Sequence, residues 1–406
     1  MKKSLFSKAM AGVLTGAVVI GTMTGCSGQG AGSTAAPASG ASAPAAESKV
    51  IKVGAIDPTT GDNANGGLDD LQGKQLAVKD CNEAGGITID GETYTVELVY
   101  YDDASSASQS VSVCTKLITE DNVVGIVGSF SSSCTLADLD VITEYSIPMI
   151  TSGSSAASVL TSGCDWISRS FPGDKLQISA LINYILSTAP ETKKIGVIYS
   201  NDDYGKGGFN SITEAAAAKN LEIVGESFAT DDTDMTAQLS SLKSQNVDAL
   251  FIWCNYTPGS YCMKQARALD WDVQFYSGTG TIHEDTFKLS DGTYVGTINS
   301  VPFTTSTTDD SAKAWIEHYK NEYNEDPSQN AARGYDGMGI LLEAIKTAGS
   351  TDGTAIQEAI RSTADYQGIQ GSISIDKETG EYQGDVMIVQ ANDKGAWTYL
   401  DSASTN

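Results

Sequence analysis

Val123-Val124-Gly125-Ile126-Val127-Gly128-Ser129-Phe130-Ser131-Ser132-Ser133-Cys134-Thr135 is the stretch on which the reading of the fold turns. A run dominated by β-branched residues enters a glycine and four serines, and helical spacing follows, so the stretch reads as strand, turn and helix. A second such phrase follows it, Pro148-Met149-Ile150 and then Thr151-Ser152-Gly153-Ser154-Ser155. Working outward, strands are predicted at 50–56, 94–101, 123–127 and 148–150, and again at 195–199, 221–228, 249–253 and 273–276. Between them lie amphipathic segments: Leu71, Val78 and Cys81; Val111, Cys114 and Ile118; Leu181, Ile185 and Leu186. Strand alternating with helix predicts α/β architecture with parallel sheets. Two groups of four strands, separated by the segment 169–174, predict two doubly wound lobes instead of one wide sheet. Sheets of this kind bind ligands at the carboxyl ends of their strands, so the cleft between facing lobes is the expected site.

The two hydroxyl-rich turns fit that expectation. A helix N-terminus offers free backbone N–H groups and serine adds short O–H donors, a combination that holds a carboxylate without a cationic side chain. Serine also caps helices everywhere, and the sequence leaves that alternative open. In the second group, Asn201-Asp202-Asp203-Tyr204-Gly205 and Cys254-Asn255-Tyr256-Thr257-Pro258 each put a tyrosine just after a strand, where it can close over a ligand or merely pack at the rim.

The chain has 406 residues with 51 acidic against 25 basic side chains, a net charge of −26, which argues against a nucleic-acid partner. Residues 1–25 combine Lys2, Lys3 and Lys8 with an apolar stretch, as a secretory signal peptide does. Thr24-Gly25 before Cys26 resembles the lipobox of bacterial lipoproteins, which makes Cys26 the expected acylated residue and a lipid anchor the expected membrane attachment. The Ala, Ser, Gly and Pro of 26–48 suit a flexible tether. Cys81, Cys114, Cys134, Cys164, Cys254 and Cys262 could pair outside the cytosol, but none has the spacing of a metal or redox site, and no metal is expected. An enzyme is disfavoured. The histidines are His283 and His318, no nucleophile elbow or H-E-x-x-H occurs, and no Walker loop or G-x-G-x-x-G follows the first strand, so no cofactor is expected.

Together, Ile51-Lys52-Val53-Gly54, Asn82-Glu83-Ala84-Gly85-Gly86-Ile87, Tyr101-Asp102-Asp103-Ala104, 128–135, Tyr204-Gly205, Gln265-Ala266-Arg267 and 371–380 resemble the type I periplasmic binding proteins, the leucine/isoleucine/valine-binding group that serves ABC transporters. The resemblance implies three crossovers, with one lobe formed by 49–171 and 301–366 and the other by 172–300 and 367–402. It places the carboxylate-binding serine at Ser132 and a second anchoring loop at Gly153, Ser154 and Ser155. Tyr204 matches a ligand-contacting tyrosine, and Asn255 or Tyr256 a second. Two positions depart from the pattern. Thr279 stands where the family has the acid that pairs an ammonium, and Gly66 where it has a pocket tyrosine, so Glu284, Asp57 or Asp202 must supply the charge or the ligand is not a standard α-amino acid. The family's disulfide positions read Ser105 and Ser131. The implied protein is a monomeric, lipid-anchored, extracytoplasmic binder of an amino acid or related carboxylate that hands its ligand to an ABC permease; a sensor lipoprotein of the same fold is the alternative.

Overall fold

The computed structural model describes residues 49–405 apart from residue 62; the expected signal peptide, Cys26 and the tether lie outside the described residues. β1 (Lys49–Asp57), β2 (Ile87–Ile89), β3 (Glu92–Asp102), β4 (Ile126–Val127), β5 (Met149–Thr151) and β6 (Ile167–Arg169) form one sheet in the order β2-β3-β1-β4-β5-β6. All neighbours are parallel except β2 and β3. Those two are joined by Asp90-Gly91, both at positive φ (52° and 79°), the twist a tight hairpin turn requires. The central strands read as unbroken apolar runs because helices cover both faces. Ile51, Val53 and Val127 pack with Ala77, Val78, Leu341 and Ile345 of helices Ala64–Glu83 and Gln329–Ala348. On the opposite face Ile56, Ile126 and Met149 meet Cys114, Leu117, Leu139 and Ile142 of helices Ala107–Thr119 and Ser132–Tyr145.

The second lobe repeats the plan. β7 (Lys194–Ser200), β8 (Glu222–Phe228), β9 (Ala249–Trp253), β10 (Gln274–Ser277) and β11 (Ile298–Val301) are parallel. After a small antiparallel sheet of β12 (Tyr366–Gly368), β13 (Gly371–Ile375) and β14 (Tyr382–Gln383), β15 (Asp385–Ala391) and β16 (Trp397–Ser404) extend this second sheet antiparallel, giving β16-β15-β11-β10-β9-β7-β8. All five residues of β9 are buried, sandwiched between Ile178, Leu181 and Ile212 on one face and Leu239, Leu242 and Met263 on the other.

One expectation needs correction. Residues 367–402 do not all belong with the second lobe: Ile373, Ile375 and Tyr382 are buried in the first lobe's core beside Met338, Ile356 and Ile360. The alternating apolar residues of β13 find their partners on helix Gly353–Arg361, so the last passage between lobes comes after β14 and not near residue 367. The six cysteines of the described residues are free, and Cys114, Cys134, Cys254 and Cys262 are buried as small hydrophobes.

Two helices of the first lobe touch closely enough to matter for the site. A Cβ at Gly73 would lie 2.0 Å from the Ala331 carbonyl oxygen, and one at Gly334 would lie 2.1 Å from that of Asp70. Glycine at both positions lets helices Ala64–Glu83 and Gln329–Ala348 meet backbone to backbone, and this fixes where Asn330 and Arg333 fall.

Candidate functional site

The strand order reverses beside β1, whose neighbours are β3 and β4, and beside β7, whose neighbours are β8 and β9. At such points the following loops part and leave a crevice. A cavity of about 640 Å³ lies there, lined by the residues that follow β1, β4 and β5 of one lobe and β7, β9 and β10 of the other. Hydrogen bonds cross between the lobes beside it: Asn65 Nδ2 donates to Asp285 Oδ2 (2.8 Å), Gln329 Nε2 to the Thr279 carbonyl (2.8 Å), and the Asp203 N–H to Ser133 Oγ (3.4 Å). The cleft is closed.

The turn after β4 supplies Phe130, Ser131, Ser132 and Ser133 to the wall. Helix Ser132–Tyr145 begins here with Ser131 as its extended N-cap (φ −86°, ψ 139°), whose side chain makes no capping bond. Thr135 N–H bonds the Ser131 carbonyl, so the N–H groups of residues 132–134 precede the first intrahelical bond. Ser131 Oγ is buried without a hydrogen-bond partner among the described residues. Ser132 is 3% exposed, and its hydroxyl accepts only a long bond from the Ala156 N–H (3.5 Å). These serines face the cavity instead of capping the helix.

The turn after β5 differs from expectation. Gly153 and Ser155 line the cavity, but Ser154 does not. Ser154 Oγ is fully buried against Thr135 Oγ1 (2.5 Å) and donates to the Ser129 carbonyl (3.0 Å), which ties the two turns together. Thr151 Oγ1 already accepts from the N–H groups of Gly153 (3.4 Å) and Ser154 (2.9 Å). The helix that follows, Ala157–Leu160, has four residues, so this turn offers the Ser155 hydroxyl and not an array of free donors. Behind it sits the buried carboxyl of Asp174, pushed up to about 7 by desolvation, with the Ser155 hydroxyl and Arg169 acting against that rise.

From the second lobe come Tyr204, Asn255, Tyr256 and Thr279, all on the cavity wall. Tyr204 tilts onto Trp253 (centroids 6.1 Å apart), and its hydroxyl has no hydrogen-bond partner among the described residues. Tyr256 stacks on His283 at 4.5 Å. Asn255 is the extended N-cap of helix Tyr256–Ala268 and makes no side-chain cap bond. Thr279 is held through its backbone, N–H to Gln177 Oε1 (3.0 Å) and carbonyl to Gln329.

Of the acids considered for an ammonium, Asp57 is buried away from the cavity with both oxygens on Lys74 Nζ (2.7 and 2.8 Å), and Glu284 is exposed beside Lys288. Asp202 lines the cavity while its Oδ1 caps a helix at Gly205 N–H (2.7 Å). Asp231 and Asp232 join it on the wall, although the sequence, in which an acidic pair on an acidic chain carries no distinguishing signal, reads them as turn or capping residues. His283 caps helix Glu284–Leu289 through Nδ1, and His318 bonds Asp80 Oδ1 (2.8 Å); neither lines the cavity.

Arg333 and Asn330 also reach the wall and were missed. Their helix reads from the sequence as starting at residue 335, whereas it starts at Gln329 behind a Ser328 cap. An arginine among Ala331, Ala332 and Gly334 was the available signal.

The family model described as periplasmic binding protein matches residues 50–396. The amino acid binding protein of Pseudomonas aeruginosa is 26% identical over 353 residues, 86% of this chain and 92% of the relative. Among solved structures, the leucine binding protein LivK from Thermotoga maritima superposes with a TM-score of 0.79 at 27% identity, over 87% of this chain and 99% of that one. The branched-chain amino acid transporter substrate binding protein LivJ from Streptococcus pneumoniae, in complex with isoleucine, gives 0.78 at 28%, over 88% and 99%.

Proposed function

Because the chain belongs to the periplasmic binding protein family, we propose that it captures an amino acid or related carboxylate in the cleft described above and delivers it to an ABC importer, working from the extracytoplasmic face of the membrane on a lipid anchor at Cys26. The relatives' names favour a branched-chain or aliphatic amino acid. The observation that carries the reading is the uncapped serine turn at the N-terminus of helix Ser132–Tyr145, opening on a cavity shared by both lobes. The ligand carboxylate sits against Ser132 and the N–H groups behind it, with Ser155 alongside. Tyr204, Asn255, Tyr256 and Thr279 close from the other side, and Asp202, Asp231 and Asp232 put negative charge where an ammonium would enter. The function is binding with closure, in which the ligand stabilises the state that contacts it from both lobes. The test is thermal unfolding of purified, ligand-stripped protein against amino acids, their deaminated acids and neutral amides. A true ligand at 100 times its dissociation constant adds about 2.7 kcal/mol of stability and visibly raises the midpoint. Stabilisation by the amides alone, or by nothing in the panel, would contradict carboxylate capture.

A further inference from the structure

Arg333 is the only lysine or arginine among the described residues lining the cavity. It is 2% exposed, lies 4.6 Å from the Phe171 ring centroid and 5.8 Å from that of Phe130, and donates through Nη2 to Asn330 Oδ1. Nε has no hydrogen-bond partner among the described residues. Among the described residues, no carboxylate forms an ion pair with it. Asp70, the acid that acts on it most strongly, gives Oδ2 to Lys74 Nζ (2.7 Å) and Ser152 Oγ (2.8 Å). Burial lowers the guanidinium to about 10, which leaves it a cation at neutral pH. From the opposite lobe, Tyr204 lines the same cavity, its hydroxyl equally without a hydrogen-bond partner among the described residues. Gly66 borders the same end: a Cβ there would meet Phe130 Cζ at 3.1 Å and Asn330 Nδ2 at 3.2 Å, so the residue present leaves this end uncovered.

A desolvated arginine with an idle N–H is costly, and its planar fork matches a carboxylate better than any other small-ligand group. Resting on the reading of the cleft as a carboxylate trap, we propose that the ligand carries a second carboxylate, which pairs with Arg333 and the Tyr204 hydroxyl while the first occupies the Ser132 turn. The ligand class is then a short dicarboxylic acid or dicarboxylic amino acid. An aliphatic side chain would leave Arg333 desolvated and unpaired.

Calorimetric titration of the purified full-length protein with matched pairs tests this: L-glutamate against L-glutamine, and glutarate against valerate, with L-leucine as a further probe. The member of at least one pair that carries the second carboxylate binds ten or more times tighter than its partner. Arg333→Gln removes that preference and leaves the partner with a single carboxylate within threefold; Arg333→Lys, which keeps the charge if the glutamine variant fails to fold, retains part of it. Equal affinities within both pairs, a preference that survives Arg333→Gln, or an equal loss for both members, which would put Arg333 on the shared carboxylate, each overturn the proposal. Binding of L-leucine with no preference for the second charge overturns it and leaves carboxylate capture standing. Failure of every probe overturns both.

Discussion

Serines in the two hydroxyl-rich turns have opposite surroundings, and the difference lies in where each hydroxyl points. Ser132 faces the cavity with only a 3.5 Å contact to protein, whereas Ser154 is enclosed between Thr135 and the Ser129 carbonyl. Ser132→Ala therefore weakens ligand binding by about 1 to 3 kcal/mol, the worth of a hydrogen bond to a charged group, and leaves the unfolding midpoint nearly unchanged. Ser154→Ala does the reverse: affinity stays within about twofold, while stability falls by about 1 to 3 kcal/mol because buried acceptors lose their donor. Isothermal titration and urea denaturation of the two variants separate the roles. The sequence showed that two turns were hydroxyl-rich and adjacent, but rotamer direction is set by neighbours such as Thr151 and Thr135. Their involvement could not be read from spacing.

At the scale of elements, the apolar runs were the most legible signal. The segment 249–253 is a strand with every residue buried, as an unbroken run between two helical layers must be. The segment 123–127 shortened to Ile126–Val127, although Val123 is still buried, because hydrophobicity reports burial and not membership of a ladder. What stayed hidden depends on distant packing. Strand β13 alternates as any strand might, and only the helices Gln329–Ala348 and Gly353–Arg361 decide that Ile373 and Ile375 belong to the first lobe. Arg333 was concealed in a comparable way: its exposure to the cavity follows from the glycine-mediated contact at Gly73 and Gly334, a relation between helices more than 200 residues apart in sequence.

For the whole molecule, buried carboxyls shape the response to pH. Desolvation pushes Asp138 and Asp174 up to about 7 and Asp336 up to about 6. An unfolded aspartate titrates near 4, so between about pH 4 and 7 the folded chain holds more protons than the unfolded one, and stability falls as pH rises through that window. Exposed aspartates held low by backbone donors, such as Asp248 and Asp376, act in the opposite sense, but they lose their contribution only as pH drops below about 4. The net charge of −26 adds self-repulsion on the alkaline side. Urea denaturation should accordingly give a stability at pH 5 that exceeds the value at pH 8 by at least about 2 kcal/mol; equal stabilities would mean that these carboxyls are ionised in the folded state.

Closure around a carboxylate ligand is the central claim, and it concerns both lobes together. The bonds Asn65–Asp285 and Gln329–Thr279 join the two lobes beside the cleft. Small-angle X-ray scattering of the purified protein, stripped of ligand and then saturated with the carboxylate that most raises its unfolding midpoint, reads that motion directly. A larger radius of gyration is expected without ligand and a contraction on saturation; superimposable curves in the two states, with binding confirmed on the same sample, would contradict closure.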